Sequence, residues 1–308
     1  MSSPIESSLK PRDVEEWLDL WFYRPLGYRI ARVCGRLGVH PNTVTVLSGL
    51  LGVLAGHLFY YSSRWVNLIG MGVFLIADLL DSADGQLARL SQKVSLTGRI
   101  LDGVAGTLMF TSFYAHLCGR LMHSTGHAWV WLLGALAGLS HSFQSSLADY
   151  YRLAYVRLAV RPEEGPMDRS ETLRREYARL RGVPGARGAR LLLAFYIPYV
   201  RRVEVVSPNF VRLLKRLYDE GSGAVPAGFA EAYRRLNRPL MKYYSLLATN
   251  LRVAVLFATV LLDRILLFFL LEVLVLNAVA FVLLVAQDRR SRRLLRWLQE
   301  GAGRPEVA

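Results

Sequence analysis

Cysteine is almost absent from this chain, with two in 308 residues, Cys34 and Cys118. With so few cysteines and paired histidines, a zinc site is not expected. The first 20 residues contain no apolar run, so no secretory signal peptide is expected. Acidic residues are scarce beside basic ones, 24 Asp and Glu against 38 Lys and Arg, which leaves a net charge of +14. An internal repeat of the kind many transporters carry is also lacking.

Hydrophobic residues are plentiful, at 53%, and they are unevenly spread. They gather in six runs near 43–62, 65–83, 100–119, 128–149, 243–262 and 265–286. Each run is close to the ~20 residues that a helix needs to cross a bilayer core. The expected fold is an all-α polytopic membrane protein with six transmembrane helices and an N-terminal interfacial helix. The outer loops of this arrangement hold only Arg64, Arg120 and Arg264, and Arg252 lies inside the fifth run. All other basic residues fall on the opposite side, so both termini and the 84–99 turn are expected in the cytoplasm. Basic residues beside spans meet anionic head groups, which accounts for the charge without a nucleic-acid partner. Cys34 and Cys118 then lie toward opposite faces, and no internal disulfide is expected.

Five segments follow. Residues 1–40 form a cytoplasmic and interfacial segment, in which 12–24 set Trp17, Leu18, Leu20, Trp21 and Phe22 among charges, as in a helix at head-group depth. Residues 41–150 carry the first four spans, opened by His40-Pro41-Asn42-Thr43-Val44-Thr45. Ser48, Gly52 and Gly56 line the first span at helical spacing and permit close packing, on a second copy or on another helix of the same chain. Residues 151–242 form a cytoplasmic helical insertion, with amphipathic helices expected at 168–181, 208–219 and 227–238. Ser207 is the expected N-cap of the middle one. The apolar stretch 191–200 is too short to span and is expected on the membrane or against the helical core. Residues 243–287 hold the last two spans, and 288–308 form a basic tail read as an interfacial helix.

Carboxylates cluster where the second and third spans meet the cytoplasm. Asp78, Asp81 and Asp84 follow at intervals of three, and Asp102 sits just inside the third span. Acids at a membrane boundary are costly unless paired or bound to cations. Oxygen-only ligands suit a hard divalent ion such as Mg²⁺, Mn²⁺ or Ca²⁺. Neutralisation by Arg89 and Arg99 is the plain structural alternative. Gly85 and Ala88 remove bulk one turn beyond the acids, and the guanidinium fork of Arg89 matches phosphate oxygens.

The string Asp81-x2-Asp84-Gly85-x2-Ala88-Arg89, followed by Gly98-x3-Asp102, resembles the signature of the CDP-alcohol phosphotransferases (CDP-alcohol phosphatidyltransferases), membrane enzymes of phospholipid biosynthesis. The family pattern closes with a further Asp, and this chain has Gly106 there. The resemblance covers residues 40–150 best. It implies transfer of a phosphatidyl or phospho-alcohol group from a CDP-linked donor to an alcohol acceptor, with release of CMP. It assigns Asp81, Asp84 and Asp102 to Mg²⁺ or Mn²⁺, and Asp84, Gly85, Ala88, Arg89 and Gly98 to the nucleotide. It also implies a homodimer among membrane lipids, in a bacterial inner membrane or its equivalent, with a cytoplasmic active site. The family's fourth aspartate is its general base, a role Gly106 cannot fill. Asp149, on one face with His141 and Ser145 and near Arg152, is a substitute candidate, and Asp78 a second. Arg252 and Asn250 are candidates for a lipid or acceptor phosphate. Two other readings stay open: an impaired relative that binds nucleotide and metal or scaffolds a lipid-synthesis complex, and a small-solute transporter using the intramembrane polar groups Arg252, Glu272 and Asn277.

Overall fold

The computed structural model describes residues 13–16, 18–162, 165–219 and 226–300. Trp17 and residues 1–12, part of the expected interfacial helix, lie outside them. Every regular element among the described residues is a helix. Four helical stretches are long and apolar enough to cross a bilayer: Pro41–Leu58, Arg64–Leu90, Phe229–Leu261 and Ile265–Gln299. The chain is therefore an all-α integral membrane protein. The expected third and fourth spans lie on helices of ample length, Leu96–Thr125 and Trp129–Tyr155. They fall outside the four because polar residues dilute them, such as Asp102 and His116 in one and Ser140 to Ser146 in the other.

The chain divides into two compact units. The first comprises Glu15–His141 and Asn250–Val275. Its N-terminal helix starts later than the sequence indicated. A π-helical turn, Asp19–Tyr23, runs into α1 (Arg24–Arg36). Pro25 is the second residue of α1 and follows directly on the π-helical turn. The helices α2 (Pro41–Leu58), α3 (Arg64–Leu90) and α4 (Leu96–Thr125) form the centre of this unit. The His40 side chain caps α2 by accepting from the Asn42 N–H at 3.2 Å. Ser95 caps α4 by accepting from the Gly98 N–H at 3.0 Å. Gly126, at φ 73°, ends α4 in the left-handed region that favours glycine.

The small-residue stripe of α2 packs on α4 of its own chain. A Cβ on Gly49 would lie 3.0 Å from that of Ala105, and one on Gly52 would lie 2.5 Å from Met109 Cε. At Gly56 it would collide with Ser112 and with the Phe113 ring at 2.8 Å. Ser48 donates to the Ala77 carbonyl at 2.8 Å and so ties α2 to α3 as well. Below the stripe Phe59, Phe74 and Phe113 interlock, with centroids 5.4–5.5 Å apart for the Phe113 pairs. The first part of α5 (Trp129–Tyr155), α10 (Thr249–Leu261), α11 (Ile265–Leu270) and a π-helical turn, Leu271–Val275, complete the unit.

The second unit comprises Ser142–Thr249, residues 13–14 and residues 276–300. It holds α6 (Ser170–Arg179), α7 (Arg187–Val205), α8 (Pro208–Tyr218), α9 (Phe229–Tyr244) and α12 (Leu276–Gln299). The insertion thus has four helices rather than three, because 191–200 belongs to a helix of 19 residues. Residues 288–299 of the basic tail do not form a separate helix but continue α12, where Ser291 and Leu294 are buried and pin them in place. Residues 301–308 lie outside the described residues. Ser207 does not cap α8; it accepts from the buried Tyr151 hydroxyl at 2.6 Å. Asp288 takes the capping role instead, accepting from the Asn209 N–H at 3.2 Å and from Asn209 Nδ2 at 2.7 Å.

Candidate metal centre

The polar end of α3 and the start of α4 carry the acids. Asp81, Asp84 and Asp102 each offer a carboxylate oxygen, and these oxygens lie within 4.8 Å of one another. Asp84 is buried, Asp81 half-buried and Asp102 exposed, so the cluster opens to one side. Three ionised carboxylates at this spacing repel by roughly 3–4 kcal/mol per pair at an effective dielectric constant of about 20. The buried Asp84 Oδ2 has no hydrogen-bond partner among the described residues. Thr45 of α2 is buried and donates to the Pro41 carbonyl at 3.2 Å. The donor set, all carboxylate oxygen with one oxygen unpaired, fits a hard divalent cation.

Around the acids the motif residues have separate jobs. A Cβ on Gly85 would lie 3.7 Å from both terminal nitrogens of Arg89, so the guanidinium folds back over this glycine. Arg89 forms no ion pair with the three acids among the described residues. The side chain of Arg99 lies outside the described residues. Gly98 lets α4 begin close to α2: a Cβ there would lie 3.2 Å from Ser95 Oγ and 3.4 Å from Asn42 Oδ1. The space at Gly106 is open, since a Cβ would meet no heavy atom within 4 Å beyond its own helix backbone and chain neighbours.

The variable positions of the motif hold α1 in place, which the spacing did not foretell. Ser82 donates to the Tyr23 carbonyl and Gln86 Nε2 to the Arg24 carbonyl, each at 3.2 Å. Gly27 of α1 makes room for both, because a Cβ would lie 2.9 Å from each side chain. Asp78 lies on α3, three residues before Asp81. A glycine inside an amphipathic helix is the only sequence signal of this crossing.

Other candidates are engaged elsewhere. Asp149 belongs to the second unit and accepts from the Tyr199 hydroxyl at 3.0 Å. Arg152, its expected neighbour, donates to Ser245 at 2.9 Å. His141 is buried in the first unit, 3.1 Å from the Tyr114 hydroxyl and edge-on to Phe110. Asn250 donates to Asp19 at 3.1 Å. Arg252 pairs with Glu272, Nε to Oε1 at 3.0 Å, with both side chains buried.

Residues 38–161 match the profile of the family described as CDP-alcohol phosphatidyltransferase. The chain is similar to an archaetidylinositol phosphate synthase of Pyrococcus horikoshii, 37% identical over 81 residues, which is 26% of this chain and 41% of that protein. It is also similar to a bifunctional IPC transferase and DIPP synthase of Thermococcus kodakarensis, 28% identical over 156 residues, 50% of this chain and 31% of that protein. The match spans less than half the length of either relative.

Proposed function

We propose that the protein transfers a phosphatidyl or phospho-alcohol group from a CDP-linked donor to an alcohol, releasing CMP, in phospholipid biosynthesis. One observation carries this: within the matched domain, Asp81, Asp84 and Asp102 converge within 4.8 Å. These three residues would hold Mg²⁺ or Mn²⁺, whose charge, when bound, offsets that developing on the donor pyrophosphate and the departing CMP. Gly85 and Ala88 keep the adjoining face shallow, and Arg89 lies exposed one turn on, where its fork can clamp phosphate. The relatives' names support a lipid-linked donor and a phosphorylated polyol such as an inositol phosphate as acceptor. Six spans with a cytoplasmic site complete the reading, supported by the distribution of basic residues.

Gly106 leaves the acceptor hydroxyl without a side-chain base at that position. Such a loss costs on the order of 10²–10⁴-fold in rate. The open space at Gly106 favours a second reading, a slowed or silent relative that retains nucleotide and metal. CMP release separates the two. Purified protein in detergent is given a CDP-linked lipid, Mn²⁺ and a panel of acceptor alcohols. Acceptor-dependent release that disappears in Asp81→Ala and in Asp102→Ala is the expected result. Mn²⁺-dependent nucleotide retention without release would replace it with the second reading, and neither would remove both.

A further inference from the structure

We infer that α7 is an in-plane membrane helix that docks on an anionic lipid surface. One face of it is finished: Leu193, Val200 and Val203 are buried in the second unit. The opposite face is apolar and bare. Leu191 is 59% exposed and Phe195 62%, one turn apart, and Ala194 and Pro198 adjoin them as exposed residues. No described part of the chain covers this strip.

The helix cannot cross the bilayer. Arg187, Arg190, Arg201, Arg202 and Glu204 leave only ten uncharged residues, 191–200, between its charged ends. That is half of what a span needs. An apolar strip with basic ends is instead the pattern of a helix lying at head-group depth. Arg187 precedes the strip and Arg201 follows it, and both are exposed.

The position of the helix along the membrane normal selects the bilayer over a soluble partner. Asp288, which caps α8, follows almost directly on the apolar run that ends at residue 286. The start of α8 is therefore fixed at the polar end of a spanning helix. Only Val206 and Ser207 separate α7 from α8, and the two helices pack together. The end of α7 consequently sits at interface depth, and a helix lying in the membrane plane from there brings its bare strip against lipid and its arginines against head-group phosphates.

The test places a fluorophore on single cysteines in the full-length protein after Cys34 and Cys118 are replaced by serine. Leu191→Cys and Phe195→Cys report on the strip, and Glu171→Cys, exposed on α6, serves as control. Nanodiscs contain brominated phosphatidylcholine, with or without phosphatidylglycerol. The expected result is several-fold stronger bromine quenching at 191 and 195 than at 171, greater with phosphatidylglycerol. Combining Arg187→Glu with Arg201→Glu should abolish the gain from phosphatidylglycerol. Quenching at 191 and 195 no stronger than at 171 overturns the docking. Protection that grows with the protein-to-lipid ratio also overturns it, in favour of a second copy. Quenching that ignores both lipid charge and the arginine variants overturns the anionic assignment.

Discussion

Arg252 and Glu272 meet as a charge pair almost wholly removed from solvent, with side-chain exposures of 1% and 0%. The glutamate sits on the π-helical turn Leu271–Val275, which interrupts the helical run after α11. Two buried charges survive only because each compensates the other. Removing one partner strands the other, at a cost of about 3–5 kcal/mol, whereas replacing both by apolar residues is often neutral or better. Arg252→Met should therefore lower the thermal midpoint strongly, and Arg252→Met with Glu272→Leu should recover most of the loss. A double variant no more stable than the single one would show that the pair is needed as a pair.

The contact between α2 and α4 grades its glycines. At Gly52 a methyl group meets the Met109 side chain, at 2.5 Å from Cε and 2.6 Å from Cγ, atoms that a change of rotamer can move, and at 3.0 Å from Cβ. At Gly56 it meets the Phe113 ring and, at 3.0 Å, the Phe113 backbone nitrogen, which cannot step aside. Overpacking of this kind costs about 1–3 kcal/mol. Gly56→Ala should destabilise more than Gly52→Ala, as read by thermal unfolding in detergent. The reverse order would contradict the packing described for the stripe.

Position 106 makes a prediction of opposite sign. An aspartate there has room, because no heavy atom approaches its Cβ within 4 Å. Gly106→Asp should fold normally and raise acceptor-dependent CMP release, by up to the 10²–10⁴-fold that a general base typically supplies. Initial rates of both proteins under identical Mn²⁺ and donor concentrations decide it. A well-folded variant with unchanged or lower release would show that the proton leaves by another route.

Asp219 gives a pH dependence in the insertion. Arg169 donates to both its oxygens, at 2.6 and 2.8 Å, and this hydrogen-bonded contact holds the carboxyl below the usual carboxylate range. The folded-state value is depressed, so the contribution is complete above the unfolded value of about 3.9. It is lost as pH falls through the lower folded value. Asp219→Asn should therefore weaken the docking of α8 near neutral pH and have no effect under strongly acidic conditions. Hydrogen exchange at α8 amides in both proteins, at neutral and acidic pH, measures this. Equal protection at neutral pH would mean the pair is too exposed to matter.

The three metal-type acids were legible because their spacing is local and helical: Asp81 and Asp84 share α3, and Asp102 opens α4. The family match was legible on the same residues. Contacts between distant segments were not. Nothing at Ser82 and Gln86 indicates that they hold α1. Ser207 is a good N-cap by residue type, yet tertiary packing gives it to Tyr151 and brings in Asp288 from far along the chain. The stripe of small residues predicted a close approach without naming the partner, because periodicity fixes a face and says nothing of what lies opposite. Arg252 was a candidate for a lipid or acceptor phosphate, and its pairing was not legible for the same reason: its counter-charge lies 20 positions away on another helix.

The origin of the carboxylate cluster has a consequence for biogenesis. All three acids come from residues 81–102, on the hairpin of α3 and α4. Every part of the cluster has thus been synthesised before the segment 142–249 is complete. The end of the protein that carries the three acids can assemble during membrane insertion of its first long helices, while the charged insertion is still being translated.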